Sequence, residues 1–293
     1  MIVKSLYFLL FLSQVFNLGL DYQIWLLAKM PKEVQAKESV IGAKVHSGIL
    51  ITKDKHKIAY RHYVQGFDKV IIIAHGFYNS KEAVVLQQLA KSLIDTYDVF
   101  MFDFRGHGKS NGLFSWMSKE GEDLKTVIEY LDDRYARKGI IGFSLGGGIS
   151  INVLAKYPKA DSLICVSIPT EFKKIDYHFW KLDWEGDFVY TLFSSEGKQG
   201  KGVRPGWPWL KKDKPIDNVS KITTIPILYI HGEKDWVIKP WHSQTLYDKT
   251  VSKKKLVIIE NGPHAEYLAR DYWEEFAAEI KTWFKETLLE EDM

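Results

Sequence analysis

The stretch Ile140–Ile149, I-I-G-F-S-L-G-G-G-I, decides how the rest of the chain is read. Ile140-Ile141 closes a short apolar run that reads as a buried strand, and Leu145 opens a segment of small residues that reads as a helix. Between them, Gly142-Phe143-Ser144-Leu145-Gly146 forms a G-x-S-x-G pattern. A serine on so sharp a strand-to-helix turn is held in a strained backbone conformation that lifts its hydroxyl clear of the sheet. Glycines flank it because side chains there would collide across the turn. The following helix aims its first N–H groups at the serine, an arrangement suited to an anionic intermediate. Taken alone, the pattern also fits a Gly-rich turn with an incidental serine, so its surroundings have to decide.

The flanking sequence alternates strands with helices. Lys69–Ala74, centred on Val70-Ile71-Ile72-Ile73, is a continuous apolar run of the kind buried on both faces of a parallel sheet. Glu82–Ile94 spaces Val85, Leu86, Leu89, Ala90 and Leu93 as a helix does. Asp98–Phe104 reads as a strand, Lys119–Tyr135 as an amphipathic helix and Ser162–Ile168 as a buried strand. Upstream, Ser47–Thr52 and Lys57–Val64 alternate about Asp54-Lys55 as an antiparallel hairpin does. The rhythm stops at Pro169, and residues 170–219 hold four of the ten tryptophans (Trp180, Trp184, Trp207 and Trp209) but no comparable strand. It resumes with Pro226–Ile230, a helix near Trp241–Lys249, the strand Lys255–Ile259 and a single terminal helix, Ala265–Leu289. Crossovers long enough for helices predict an α/β fold, a mainly parallel sheet flanked by helices, with an insertion at about 170–219.

A chain of 293 residues can bury one large core, or one core with an insertion. A net charge of +3 is too small to argue for a nucleic-acid partner. The single cysteine, Cys165, excludes an intramolecular disulfide and a thiolate metal cluster, and its place in Leu163–Ile168 makes it a buried strand residue rather than a nucleophile. Residues 1–29 are unlike the rest. After Lys4, Ser5–Leu20 carries no charge, which is long for a signal-peptide core yet short of the roughly 20 residues of a spanning helix. Tyr22 and Trp25 suit a membrane–water boundary, and Leu26-Leu27-Ala28 extends the apolar character. An uncleaved membrane anchor is preferred to a cleaved export signal or a buried helix, and basic residues on both flanks leave the orientation open.

A serine hydroxyl becomes a nucleophile when a base takes its proton, and the base works best when a carboxylate fixes its tautomer. Open parallel sheets hold such groups in loops beyond the strands' carboxyl ends. Two loops qualify: Ile230-His231-Gly232-Glu233-Lys234-Asp235 supplies an acid, and Glu260-Asn261-Gly262-Pro263-His264 a histidine. In this constellation over roughly residues 45–288, the chain resembles the α/β-hydrolase superfamily, in which Ser, Asp and His follow in that order. It is most similar to the branch holding monoacylglycerol lipases, small carboxylesterases and serine aminopeptidases.

The resemblance implies that Ser144, His264 and Asp235 are nucleophile, base and orienting acid, with Asp235 favoured over Glu233 by the H-G-x-x-D spacing. It implies an oxyanion hole made by the N–H groups of Phe77, after His75-Gly76, and Leu145, after the serine. It makes Asp103-Phe104-Arg105-Gly106-His107-Gly108-Lys109-Ser110 a structural turn, and 170–219 a cap of no recognised type. The implied reaction is hydrolysis of an acyl ester through an acyl-enzyme. An amide-cleaving peptidase, a cofactor-free perhydrolase and a non-catalytic binding module on the same scaffold stay open. The expected partner is a small acyl-bearing molecule, lipids included.

No cofactor is expected, and no metal, since no histidine pair has ligand spacing with a third ligand. His75 and His231 belong to turn motifs, whereas His46, His56, His62, His107, His178 and His242 are expected at the surface or in turns. The cap aromatics either pack or line an acyl pocket. Lys198, Lys201, Arg204, Lys211, Lys212 and Lys214 form a solvated basic loop or, with Trp207 and Trp209, a contact for anionic lipid.

Overall fold

The computed structural model describes residues 43–175 and 203–289. The hydrophobic segment 1–29, His178, Trp180, Trp184, Lys198, Lys201 and much of the expected cap lie outside these residues. Among the described residues no helix is long and apolar enough to cross a membrane.

The hairpin β1 (Lys44–Ile51) and β2 (Lys57–Val64) turns through Asp54-Lys55 and pairs antiparallel, with Lys44 opposite Val64. The apolar run Val70–Ile73 becomes β3 (Lys69–Ala74), followed by α1 (Val84–Leu93) and β4 (Asp98–Phe102). Then come α2 (Glu120–Asp132), β5 (Arg137–Phe143), α3 (Leu145–Leu154) and β6 (Ser162–Val166). After the short α4 (Pro215–Asn218), the chain forms β7 (Ile227–Gly232), α5 (Trp241–Lys249) and β8 (Lys254–Ile259). It closes with α6 (Ala265–Asp271) and α7 (Trp273–Phe284).

The eight strands make one sheet in the order β1-β2-β4-β3-β5-β6-β7-β8, parallel from β4 onward, with β2 antiparallel to β4. Strand residues alternate between two cores. Val70, Ile72 and Ile140 face α2, α3 and α5 (Leu124, Ile128, Ile149, Leu246), whereas Ile71, Ile73 and Ile141 face α1, α6 and α7 (Leu86, Leu89, Leu268, Phe276). Coverage of both faces explains why these strands read as unbroken apolar runs.

The expected single terminal helix is two helices broken at Tyr272, whose φ of −124° and ψ of 40° leave the helical region. Neither proline nor glycine marks the break, and the apolar spacing of Ala269, Phe276, Ile280 and Trp283 continues across it. The bend takes the chain from α6, against β7, to Phe284 and Leu288, which lie over Gly139 of β5. Two strands also stop earlier than their apolar runs: β4 ends at Phe102 and β6 at Val166, where Ser167 turns to φ 50°.

The Asp103–Ser110 turn is tied by charge. Asp103 accepts from Lys81 Nζ at 2.7 Å and from Lys109 N–H at 2.9 Å. Buried Arg105 donates to Asp123 on α2 (2.7 Å from Nη2) and to Asp54 of the hairpin (2.7 Å from Nη1). Gly106 and Gly108 have positive φ there, and a Cβ on Gly108 would stand 2.4 Å from Asp103 Oδ2.

Candidate active site

The G-x-S-x-G stretch bridges β5 and α3. Ser144 has φ 49° and ψ −119°, a conformation unfavourable for a residue with a Cβ, and its N–H is pinned to Val166 O at 2.8 Å. The glycines are required by close approach. A Cβ on Gly142 would lie 2.4 Å from Gly147 Cα, and one on Gly146 would lie 2.4 Å from His75 O. Helix α3 is buried along its whole length, so this elbow has no room to relax.

Three loops bring Ser144, His264 and Asp235 together. Ser144 Oγ–H donates to His264 Nε2 at 3.1 Å, and His264 Nδ1–H donates to Asp235 Oδ2 at 2.6 Å. The other carboxylate oxygen of Asp235 accepts from the N–H groups of Val237 (2.9 Å) and Ile238 (2.8 Å). Burial pushes the Asp235 carboxyl up, but the charge of His264 and hydrogen bonds from His231 and His264 outweigh it, holding the group below the usual carboxylate range. Burial pushes His264 down, yet the charge of Asp235 and its hydrogen bond, with a smaller contribution from Glu266, raise it above the ordinary 6.5. His264 Nε2 can take the Ser144 proton only when the ring is neutral, and a histidine with a raised pKa stays charged to higher pH. Activity is therefore expected to fall on acidification with a midpoint above 6.5, rather than at the unperturbed histidine value; a kcat/KM–pH profile checks this.

Glu233 stands apart: it is exposed and accepts from Asn261 N–H at 3.0 Å. Leu145 begins α3, where N–H groups lack intrahelical acceptors. Phe77 follows Gly76, whose Cβ position would be 3.3 Å from Ser144 Cβ, so this loop runs directly beside the serine. The Phe77 ring sits among Tyr78, Phe114 and Trp116, with centroids 4.2–5.1 Å away, and Trp116 meets Phe172 edge-on at 5.6 Å. Of the expected cap aromatics, Trp207 and Trp209 are 71% and 79% exposed and meet each other edge-on. Trp116 packs on the Phe77 ring, although its sequence context held no sign of it.

Other residues around the site were equally silent. His231, read as a turn residue, is buried on β7, where Nε2–H donates to Ile238 O at 2.6 Å and lies 3.3 Å from Asp235 Oδ2. Ser167 Oγ accepts from Ala265 N–H at 3.1 Å and so ties down the residue after His264. His62, His107 and His242, expected at the surface or in turns, are all buried. His62 meets Tyr135 Oη at 2.7 Å, and His242 Nδ1 accepts from Thr170 N–H at 3.1 Å. Burial lowers their pKa to about 4, outweighing the charge of Asp98 beside His62 and the Lys174 carbonyl and Asp235 charge near His242, so both rings are neutral. His46 is exposed and His56 lies in the hairpin turn, as read. Buried Cys165, its thiol pushed up by burial, is no nucleophile.

The family comparisons agree with this architecture. Residues 65–186 match the serine aminopeptidase (S33) family and residues 186–270 the alpha/beta hydrolase fold family. The chain belongs to the α/β-hydrolase superfamily, and the matches support a hydrolase. It is 30% identical over 184 residues to the uncharacterized protein YfhR of Salmonella typhi, a stretch of 60% of this chain and 57% of that relative; the chain thus spans little over half the relative's length. It is 26% identical over 231 residues to the mitochondrial palmitoyl-protein thioesterase ABHD10 of Rattus norvegicus, covering 73% of each. Among solved structures, the Pyrococcus furiosus esterase Pf2001 superposes with a TM-score of 0.69 at 24% identity, over 85% of this chain and 93% of that one, a likeness of fold.

Proposed function

We propose that the protein is a serine hydrolase that cleaves acyl esters through an acyl-enzyme. The observation that carries this reading is the unbroken relay from Ser144 Oγ to His264 (3.1 Å) to Asp235 (2.6 Å) beside a wholly buried helix N-terminus. Ser144 Oγ attacks the acyl carbonyl while His264 Nε2 takes its proton, and His264 then passes that proton to the departing alcohol. Asp235 keeps the proton on Nδ1 and stabilises the imidazolium. The developing oxyanion is held by the N–H groups of Phe77 and Leu145, each contributing about 3 kcal/mol to transition-state stabilisation. Water, deprotonated by His264, attacks the acyl carbonyl and releases the acid and free Ser144. The aromatic wall of Phe77, Trp116 and Phe172 suits an apolar acyl chain.

A thioester is the second reading, supported by the relative named a palmitoyl-protein thioesterase. The segment 1–29 would anchor the protein at a membrane, where acyl-bearing lipids are concentrated. The test is hydrolysis of p-nitrophenyl esters of increasing chain length, beside a matched acyl thioester and acyl amide. Turnover of esters or thioesters well above that of the amide is expected. Preferential amide cleavage would make the protein a peptidase, and no turnover of any of them would overturn the reading.

A further inference from the structure

We infer that His107 and Glu266 are positioning residues that, together with His75, fix the peptide carrying the Phe77 N–H and so set the strength of the oxyanion site; this rests on the serine hydrolase reading. The Gly76-Phe77 segment has four backbone polar groups, and three of them are held by side chains: one by the neighbouring His75 and two by residues remote in sequence, Glu266 and His107. Gly76 N–H donates to Glu266 Oε1, on α6, at 3.3 Å. Gly76 O accepts from His75 Nδ1–H at 2.7 Å, with a longer bond from Asn79 N–H at 3.4 Å. Phe77 O accepts from His107 Nε2–H, in the turn after β4, at 2.8 Å. The remaining group is the Phe77 N–H assigned to the oxyanion.

The tautomers follow from the network. His75 Nε2 accepts from Phe104 N–H at 3.0 Å, so its single proton is on Nδ1 and faces Gly76 O. His107 has a carbonyl on each side, Phe77 O at 2.8 Å and Arg105 O at 3.1 Å, and the shorter contact takes its proton. Both rings are buried and in edge contact, with centroids 4.9 Å apart. Burial, the largest cause, lowers the pKa of His75 to about 4 and of His107 to about 3, and a charge on either ring would further disfavour one on the other, so both are neutral and act as fixed donors.

The clamp answers a problem that glycine creates. Gly76 has access to more backbone conformations than other residues, and rotation of the Gly76–Phe77 peptide would present a carbonyl where a donor is needed. Holding Gly76 O with His75 opposes that rotation, since Gly76 O and Phe77 N–H belong to one peptide unit. Donation to Gly76 O also polarises that unit and strengthens its N–H. A Cβ on Gly76 would come within 2.6 Å of Glu266 Oε1, so any larger residue here would push that carboxylate off the Gly76 N–H.

The test uses full-length protein with His107→Leu, Glu266→Leu and the conservative Glu266→Gln, which keeps an acceptor oxygen. For each, kcat and KM on p-nitrophenyl butyrate are measured with the inhibition constant of butylboronic acid and the Tm. His107→Leu is expected to lower kcat about 10–100-fold and weaken boronate binding by a similar factor, with KM changing less than about twofold. Glu266→Leu should lower kcat about tenfold in the same pattern, and Glu266→Gln should restore it to within about threefold. Unchanged kcat in both leucine variants would overturn the inference. So would a fall in kcat that tracks Tm and leaves boronate affinity intact, the mark of a merely structural role. If His107→Leu fails to fold, the half-exposed Glu266 pair decides alone. A wild type that neither turns over esters nor reacts with a fluorophosphonate would overturn the hydrolase reading and this inference together, whereas a reactive wild type with unaffected variants overturns the inference only.

Discussion

Replacing Ser144 with alanine is expected to lower kcat by at least about a thousandfold, because the covalent route is lost while the oxyanion donors and binding surfaces remain. The side chain's hydrogen bond is to His264, and the elbow is held through the backbone by the Ser144 N–H bond to Val166 O, so the fold should survive. Alanine keeps a Cβ at φ 49° and introduces no strain that serine did not already carry. Covalent labelling by a fluorophosphonate should disappear with activity while the circular dichroism stays unchanged. Labelling that persisted in the variant would place the nucleophile elsewhere and sink the proposed mechanism.

Asp235→Asn should cost about 10⁴-fold in kcat, by analogy with the same change in serine proteases. One oxygen can go on accepting from Val237 and Ile238 N–H, which leaves the amide NH2 facing His264 Nδ1 and His231 Nε2. An NH2 group donates where a carboxylate accepted. It drives the His264 proton onto Nε2, which then cannot take a proton from Ser144, and it meets His231 donor to donor. Glu233→Gln should change kcat less than about twofold, since that exposed side chain accepts one backbone N–H, from Asn261. The reverse ranking in a direct kinetic comparison would make Glu233 the acid.

The strand order was not legible in the sequence, but the kind of sheet was. Val70–Ile73 and Leu163–Val166 are buried on both faces, and that environment tolerates no polar residue, so burial is written into the residues themselves. The elbow was legible for a related reason: backbone stands within 2.4–2.5 Å of any Cβ at Gly142 or Gly146, which leaves glycine alone at both. His264 and Asp235 could be placed because each follows a recognisable strand. Burial of single polar residues was not legible, because a histidine looks the same whether its partner is water or a tyrosine hydroxyl 73 positions away, as for His62 and Tyr135. Glu266 had no signal either; one exposed-looking glutamate in a helix's first turn suits the dipole anywhere. The break at Tyr272 was hidden because the apolar spacing runs through it unchanged.

The placement of these groups along the chain also governs when the site can exist during folding. Ser144 and His264 are 120 residues apart, and Gly76 and Glu266 are 190 apart, so the loops meet only when β3, β5, β7 and β8 are all in register. Contacts of such long sequence separation form late, after helices and local hairpins. Refolding followed by circular dichroism should therefore run ahead of fluorophosphonate reactivity, and a chain with only part of its sheet assembled would be chemically silent. Covalent reactivity of Ser144 would thus report that the whole sheet has assembled, and not merely the strands next to the serine.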